Sequence, residues 1–380
     1  MIINGIYDVT FTINNIELLN SHIAAGFVFS YNENIVDGFP VCQAAFTTSY
    51  QFISSNPIVD GSLMIITIED TISKTKETLM FRASAVKITP TMGVCSLTIE
   101  GYVDFYEFFR NPNKYAIYGL SSEVFSNVAQ INRMNSDIDQ TNDIQLWVPS
   151  EENVGSWLNL VAKHGWCSAN SCMIWFVDRL RKLYYKDLGD LFYNSKNTKT
   201  FKYGSPLPTD KKENIYRYKS VDFSTDTGLE NVKSNGYGGK NHRFDLLSYG
   251  IKTENANKVR AVTEIVNVNK ELSQGVPENM MEFDVGNFHS HYFLAEKQNK
   301  RIRSLFSTYA KVISPYYLPI RLGEVVILVP SSNGTENEQV KSLNCRYIIS
   351  SLSLTMTQNS ISTNIILCTS GYNGSSKESY

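Results

Sequence analysis

The sequence predicts an α+β fold that is mostly β: two antiparallel β-barrel modules bracketing a mixed α/β middle region. Three observations carry this. Tyr7, Val9, Phe11 and Ile13 alternate with Asp8, Thr10, Thr12 and Asn14, which gives a strand one apolar and one wet face. Near the other end Leu352, Leu354 and Met356 alternate with Ser and Thr. There Gln358-Asn359-Ser360 turns, and Ile361, Thr363, Ile365 and Leu367 return. Between these ends, all four tryptophans (Trp147, Trp157, Trp166 and Trp175) fall in one stretch that mixes helical and strand patterns.

A chain of 380 residues suggests about two or three domains. The patterns divide it into a first β-barrel module (1–109), an α/β middle domain (110–204), a crossover with a second α/β segment (205–310), a second β-barrel module (311–370) and a tail (371–380). The tail is small and polar and is expected to be disordered.

In the first module Leu97, Ile99, Val103 and Phe105 repeat the alternation. Gly101 holds the inward position between them, a mark of a bend or a close backbone approach. Residues 63–68 and 79–88 read as strands joined by the polar stretch 69–78, with Asp60-Gly61 as a turn ahead of them. Arg110-Asn111-Pro112-Asn113 breaks the pattern. Ser121 then caps a helix whose face is Leu120, Val124, Val128 and Ile131. Residues 130–141 read as a polar loop and 143–148 as a strand.

The next helix has Ser150 as N-cap, Glu151 and Glu152 at the positive end of the dipole and Gly165 as its stop. Val154, Trp157, Leu158 and Val161 keep the i, i+3, i+4, i+7 spacing. Residues 173–178 and 182–188 form a hairpin around Arg179-Leu180-Arg181. With its four tryptophans, this region is expected to have a compact core of its own.

Residues 205–257 are polar and rich in Gly, Asn and Lys, with 234–240 as a loop or tight turn. Residues 259–268 read as a strand and 270–278 as a loop. Residues 290–309 read as a helix with Ile302, Leu305, Phe306 and Tyr309 on one face. Residues 317–320 lead through Arg321-Leu322-Gly323-Glu324 into the apolar run 325–329, followed by a loop at 331–334. Two β modules around a mixed centre suggest an internal duplication, although no repeat is visible as sequence identity.

Hydrophobic residues make up 42%, aromatics 12% and charged residues only 19%, a balance that suits a protein covering much of its surface with partners. The same balance suits a polar β protein. A net charge of −2 supplies no basic field for non-specific nucleic-acid binding. Residues 1–10 lack a basic segment followed by an apolar run, and no apolar stretch approaches the ~20 residues needed to span a bilayer. The expectation is a soluble protein made in a cytoplasm. Cys42, Cys95, Cys345 and Cys368 read as isolated buried thiols, and Cys167 and Cys172 do not form a CxxC pair.

No constellation for catalysis stands out. There is no P-loop, no GxGxxG after a strand and no GxSxG; the glycines of 236–239 read as a turn. His289 and His291, near Glu282 and Asp284, have strand spacing for two metal ligands but lack a defined third. His164 and Cys167 lie at a helix end without the context of an activated thiolate. Asp178, Asp187 and Asp190 flank turns, where Asp serves local hydrogen bonding. The basic residues of 297–303 read as a solvated helix face. Catalytic, cofactor and metal residues are therefore expected to be absent, and the chain is read as no enzyme.

Read in order, the second half resembles the hub family of contractile injection machines. That family includes baseplate hubs of contractile phage tails, late-control tail proteins and the N-terminal part of type VI secretion spike proteins. The resemblance lies in the pattern helix, strand, G-x-V strand start, loop and final hairpin. Here these are residues 295–309, 310–314, Gly323-Glu324-Val325, and 346–354 with the strand that follows. Residues 238–245 resemble the crossover, and Ser156–Ala162 with Trp175-Phe176-Val177-Asp178 resemble the middle domain.

The resemblance implies a homotrimer whose two tail-tube-like modules per chain build a ring of pseudo-sixfold symmetry. That ring would meet the hexameric tail tube protein above and the central spike protein below, among other baseplate proteins. DNA would only pass through its lumen. The location would be the virion tail baseplate, assembled in the host cytoplasm. A tail-tip hub of a non-contractile tail is the alternative within the class. A β-sandwich carbohydrate-binding or hydrolytic protein, with Tyr316 and Tyr317 as a sugar platform, is the alternative outside it.

Overall fold

Alternation dominates both ends of the chain, and the backbone follows it. The computed structural model describes residues 1–3, 5–20, 23–36, 38–105, 108, 116–149, 153–168, 171–195, 199–205, 214–225, 240–245, 249–255, 279–284, 288–296, 308–330 and 346–369. The fold is mostly β, and its main sheet is large, curled and largely antiparallel.

Six strands make the first set: β1 (Tyr7–Ile13), β2 (Ala25–Asn34), β3 (Val41–Ser49), β4 (Leu63–Asp70), β5 (Lys76–Thr91) and β6 (Val94–Val103). They pair antiparallel in the order β1-β4-β5-β6-β3-β2 and curl as a half-barrel. Tyr7, Val9, Phe11 and Ile13 are all buried, as their spacing predicts.

The second set is β7 (Lys199–Tyr203), β8 (Ile215–Tyr218, continued by Ser220–Thr225 past Lys219), β9 (Thr308–Ser314), β10 (Val325–Val329), β11 (Arg346–Thr357) and β12 (Ile361–Thr369). Its order is β7-β10-β11-β12-β9-β8. This is the first order with six added to each number. Five strands of each set agree in sense as well. Only β7 differs, because it runs parallel to β10 and β8, and through it the pairings of the second set return on themselves.

The correspondence reaches single hydrogen bonds. Gly61 and Gly323 both hold left-handed φ (82° and 75°) just ahead of β4 and β10. Each donates its N–H to a carbonyl on the next strand, Ala83 O at 2.8 Å and Ile349 O at 2.9 Å. Immediately after, both β5 and β11 carry a bulge, between Ala83 and Ala85 and between Ile349 and Ser351. The bulged residue is serine in each case: Ser84 Oγ donates to Glu100 O (3.3 Å) and Ser350 Oγ to Ile366 O (3.0 Å). Close approach explains Gly101, where a Cβ would lie 2.6 Å from Arg82 O.

β11 fuses the sets. Its residues Arg346–Ile348 pair with β10, and residues 351–357 pair antiparallel with β2. Between the sets lie helices Ser121–Ile131, Val154–His164 and Leu188–Asn194 and the hairpin Met173–Val177/Lys182–Asp187. A further three-stranded sheet is made by Lys240–Asp245, Gly250–Asn255 and Asn279–Asp284.

Several expectations are corrected. The tryptophan region has no core of its own: Trp147, Trp157 and Trp175 belong to the same apolar cluster as Phe11, Phe29 and Leu97 of the first set. Every residue of Met173–Val177 is buried, because Met173, Trp175 and Val177 face that cluster while Ile174 and Phe176 enter the core of the second set. Ser121 is the first helical residue rather than the cap. Leu120 is the N-cap, and its N–H donates to the Glu123 side chain. Ile131 is exposed, and Phe125 takes the buried place.

Asn153 caps the next helix, its side chain accepting from Ser156 N–H; Ser150, Glu151 and Glu152 lie outside the described residues. Within the supposed loop 130–141, Asn135–Ile138 is a strand pairing parallel with Lys182–Tyr185. The helix read over 290–309 gives way to β9, already a strand at Thr308. Strand and loop calls at 259–268 and 270–278, the glycine turn at 236–239, the basic run 297–303, Cys345 and the tail lie outside the described residues.

Candidate functional site

β2 sends Phe27, Phe29, Tyr31 and Glu33 to its buried side, and the last of these is a carboxylate with no exposure to water. Such a group must be paired or it costs several kcal/mol. Its partner comes from the turn between Met173–Val177 and Lys182–Asp187. Asp178 Oδ1 accepts from the N–H groups of Leu180 and Lys182, both at 2.9 Å, and Arg181 closes the turn at φ 66°. Arg179 is thereby turned inward.

Arg179 donates to Glu33 twice, from its backbone N–H to Oε2 and from Nη1 to Oε1, both at 2.8 Å. Its Nη2 lies 3.3 Å from Glu77 Oε2 on β5, and its guanidinium sits 5.9 Å from the Tyr31 ring centroid. Tyr317, just before β10, donates its hydroxyl to the same Glu77 oxygen and packs edge-on against Tyr7. Asp178 Oδ2 accepts from Tyr184 (3.2 Å) and from Arg321 Nη1 (2.9 Å). Glu33 and Glu77 thus come from the first strand set, Asp178, Arg179 and Tyr184 from the middle, and Tyr317 and Arg321 from the approach to β10.

Burial pushes the Glu33 carboxyl up, against the pull of Arg179. Burial also raises Tyr31 well above the ordinary tyrosine range, and Arg179 stays protonated among the acidic groups around it. A guanidinium does not release its proton at any working pH, so Arg179 stands as a fixed cation among these groups. The cluster is a three-way lock.

A second polar cluster fixes the middle. Asp143, fully buried, accepts from Ser121 N–H (2.8 Å), Ser121 Oγ (2.6 Å) and Trp166 N–H (2.8 Å), so it satisfies the helix start from outside the helix. Ser121 Oγ also meets Tyr185 OH at 2.9 Å, and the Tyr185 ring stacks on Phe125 at 3.8 Å.

The histidines and Cys167 weighed for chemistry from sequence pack against their neighbours, and the side chains of Glu282 and Asp284 lie outside the described residues. The His164 ring stacks on Tyr292 at 3.8 Å, Trp166 stacks on His291 at 4.3 Å, and His289 Nε2 meets His164 O at 3.0 Å. Burial pulls His164 down to about 4 and pushes Cys167 up to about 12, the reverse of an activated thiolate–imidazole pair. Cys167 Sγ contacts Gln140 O and Met173 Sδ. No group of three metal-ligating side chains occurs among the described residues.

Asp187 caps the helix Leu188–Asn194 and accepts from Gly189 and Cys172 N–H. Tyr317 is no exposed sugar platform, since its hydroxyl is held by Glu77. Cys42, Cys95, Cys172 and Cys368 are buried, and the five cysteines described are all free. No helix among the described residues is long and apolar enough to cross a membrane.

Sequence reasoning missed the lock. Its signal was present in Glu33, a charge on the apolar parity of an alternating strand, and in Arg179, which is written into a turn but carries no local partner.

No protein-family model matches the chain, and no curated protein matches it. Solved structures do. The chain aligns over 95% of its length with the 43 kDa tail protein of prophage MuSo2 from Shewanella oneidensis, covering 96% of that chain (TM-score 0.59, 9% identity). It aligns over 97% with a tail protein from Neisseria meningitidis MC58, covering 98% of that chain (TM-score 0.57, 10% identity). At these identities the likeness is one of fold: this chain has the fold of tail proteins from end to end. It falls on the same kind of protein as the resemblance read from the sequence pattern.

Proposed function

We propose that this chain is a structural hub subunit of a phage tail baseplate, acting through assembly rather than catalysis. On this reading three copies form a ring that adapts a hexameric tail tube protein to a central spike protein. Other baseplate proteins surround it, and DNA passes through its lumen in the assembled virion. The single observation that carries the proposal is the repeated strand order, with its shared glycine turn and serine bulge. A chain holding two equivalent β modules, read as barrels, offers six equivalent docking surfaces in a trimer, which is what a threefold part needs beneath a sixfold tube. End-to-end likeness in fold to two tail proteins supports the same reading. The second module then draws β7 and β8 from residues 199–225 as well as its strands from 308–369.

The test is the mass of the purified protein by native mass spectrometry, with negative-stain images of the same sample. Three chains of 43.0 kDa give about 129 kDa and a ring with six similar lobes. A monomer at tens of micromolar, with no ring, refutes the hub.

A further inference from the structure

Histidines dock the segment that follows the three-stranded sheet. Residues 288–296 lie between the strand Asn279–Asp284 and β9, and they pack on the end of the helix Val154–His164. The Tyr292 ring is stacked between His164 (3.8 Å) and Phe288 (3.9 Å), and His291 stacks on Trp166. Polar contacts tie the same surfaces. The His289 backbone N–H donates to Gln145 Oε1 (3.3 Å), His164 Nδ1 donates to Tyr292 O (3.4 Å), and Lys163 pairs with Glu296.

The partners of His289 fix its protonation state. Its Nε2 lies 3.0 Å from His164 O, a carbonyl that only accepts, so Nε2 carries the hydrogen. Its Nδ1 lies 3.2 Å from the His291 backbone N, which only donates, so Nδ1 is bare. A second proton has one place to go. There it sets N–H against N–H within the turn that Tyr292 N–H closes on His289 O (3.0 Å). Among the described residues, the titratable groups facing His289 are Asp143, His164 and His291, and those facing His164 are Lys163, Glu296, Tyr292 and His289. Asp143 and the carbonyl end of the helix favour a charged His289 ring, and burial outweighs them, holding the imidazole below its ordinary value.

We propose that residues 288–296 form an acid-released latch on the middle region, with His289 as its proton sensor. At neutral pH the segment is docked. Protonation at Nδ1 breaks the turn that presents His291 and Tyr292 to their stacks, and the segment lets go. A depressed imidazole contributes fully to docking above its undocked pKa of about 6.5, and the contribution is lost as pH falls through the docked value. The two strand sets are held by their own ladders and stay paired. The latch does not depend on the hub reading.

Hydrogen exchange read by mass spectrometry on the full chain, at pH 7.5 and pH 5.0, tests the latch once rates are corrected for the intrinsic effect of pH. Peptides spanning 288–296 should lose protection by about tenfold or more at pH 5.0, the change that one unit of pKa depression supplies. Peptides of β6 should not change. His289→Asn offers an Oδ1 that accepts the His291 N–H and takes no proton, so its loss should be several-fold smaller. NMR of histidine-labelled wild type needs no substitution, and it decides where that variant is undocked at both pH values. His289 should be the Nε2–H tautomer at pH 7.5 and should titrate over the range in which protection falls. Equal protection at both pH values, a loss as large in His289→Asn as in wild type, or a neutral Nδ1–H tautomer overturns the latch.

Discussion

Replacing Arg179 by methionine keeps a long side chain and removes the charge. Glu33 is then a carboxylate with no access to water, held only by the Arg179 backbone N–H. Breaking a buried pair by removing one partner costs about 3–5 kcal/mol. With unfolding entropy of roughly 2.1 cal/mol/K per residue, a chain of 380 residues loses about 1 °C of Tm per 0.8 kcal/mol, so the expected drop is ~4–6 °C. The pH dependence identifies the group. In the variant the folded Glu33 pKa rises further above its unfolded value of about 4.3, so the uncharged form is favoured by folding. The deficit is therefore small near pH 4 and grows as pH rises through the folded pKa, then levels off. Melting of wild type and variant at pH 5 and pH 8 measures this, and adding Glu33→Gln should recover most of the loss at pH 8. A drop below about 1 °C, or one equal at both pH values, would refute the claim that Arg179 compensates a buried carboxylate.

Trp157→Ala should cost about 3–5 kcal/mol, as for other enclosed aromatics. Because Trp157 shares its cluster with Phe11 and Leu97, urea unfolding should show the first strand set and the helices melting in one step. His164 contributes a pH effect of the opposite sign to that of the Arg179 variant. Its pKa is depressed to about 4 against ~6.5 unfolded, so its contribution is complete above about pH 6.5 and is lost as pH falls toward 4, by up to ~3 kcal/mol. Around the ring stand Tyr292, Lys163, Glu296 and His289; an NMR titration of His164, and a flatter stability profile in His164→Phe, check the assignment.

What the sequence made legible was whatever a local period encodes. The parity of Tyr7–Ile13, the inward Gly101, the face Val154, Trp157, Leu158 and Val161, and the last hairpin are all decided by residues within one element. Partners supplied from far along the chain were not legible. Ser121 looks like a cap because it is a serine before an apolar face, yet the group that satisfies the helix start is Asp143, twenty-two residues on. β8 was hidden in a polar stretch because its buried residues, Ile215 and Tyr218, stand three apart and show no strand alternation, and β7 is five residues long with only Phe201 buried. Trp147, Trp157 and Trp175 lie close in sequence but join the core of the first strand set, and Met173–Val177 is sandwiched between two cores and needs apolar groups on both sides.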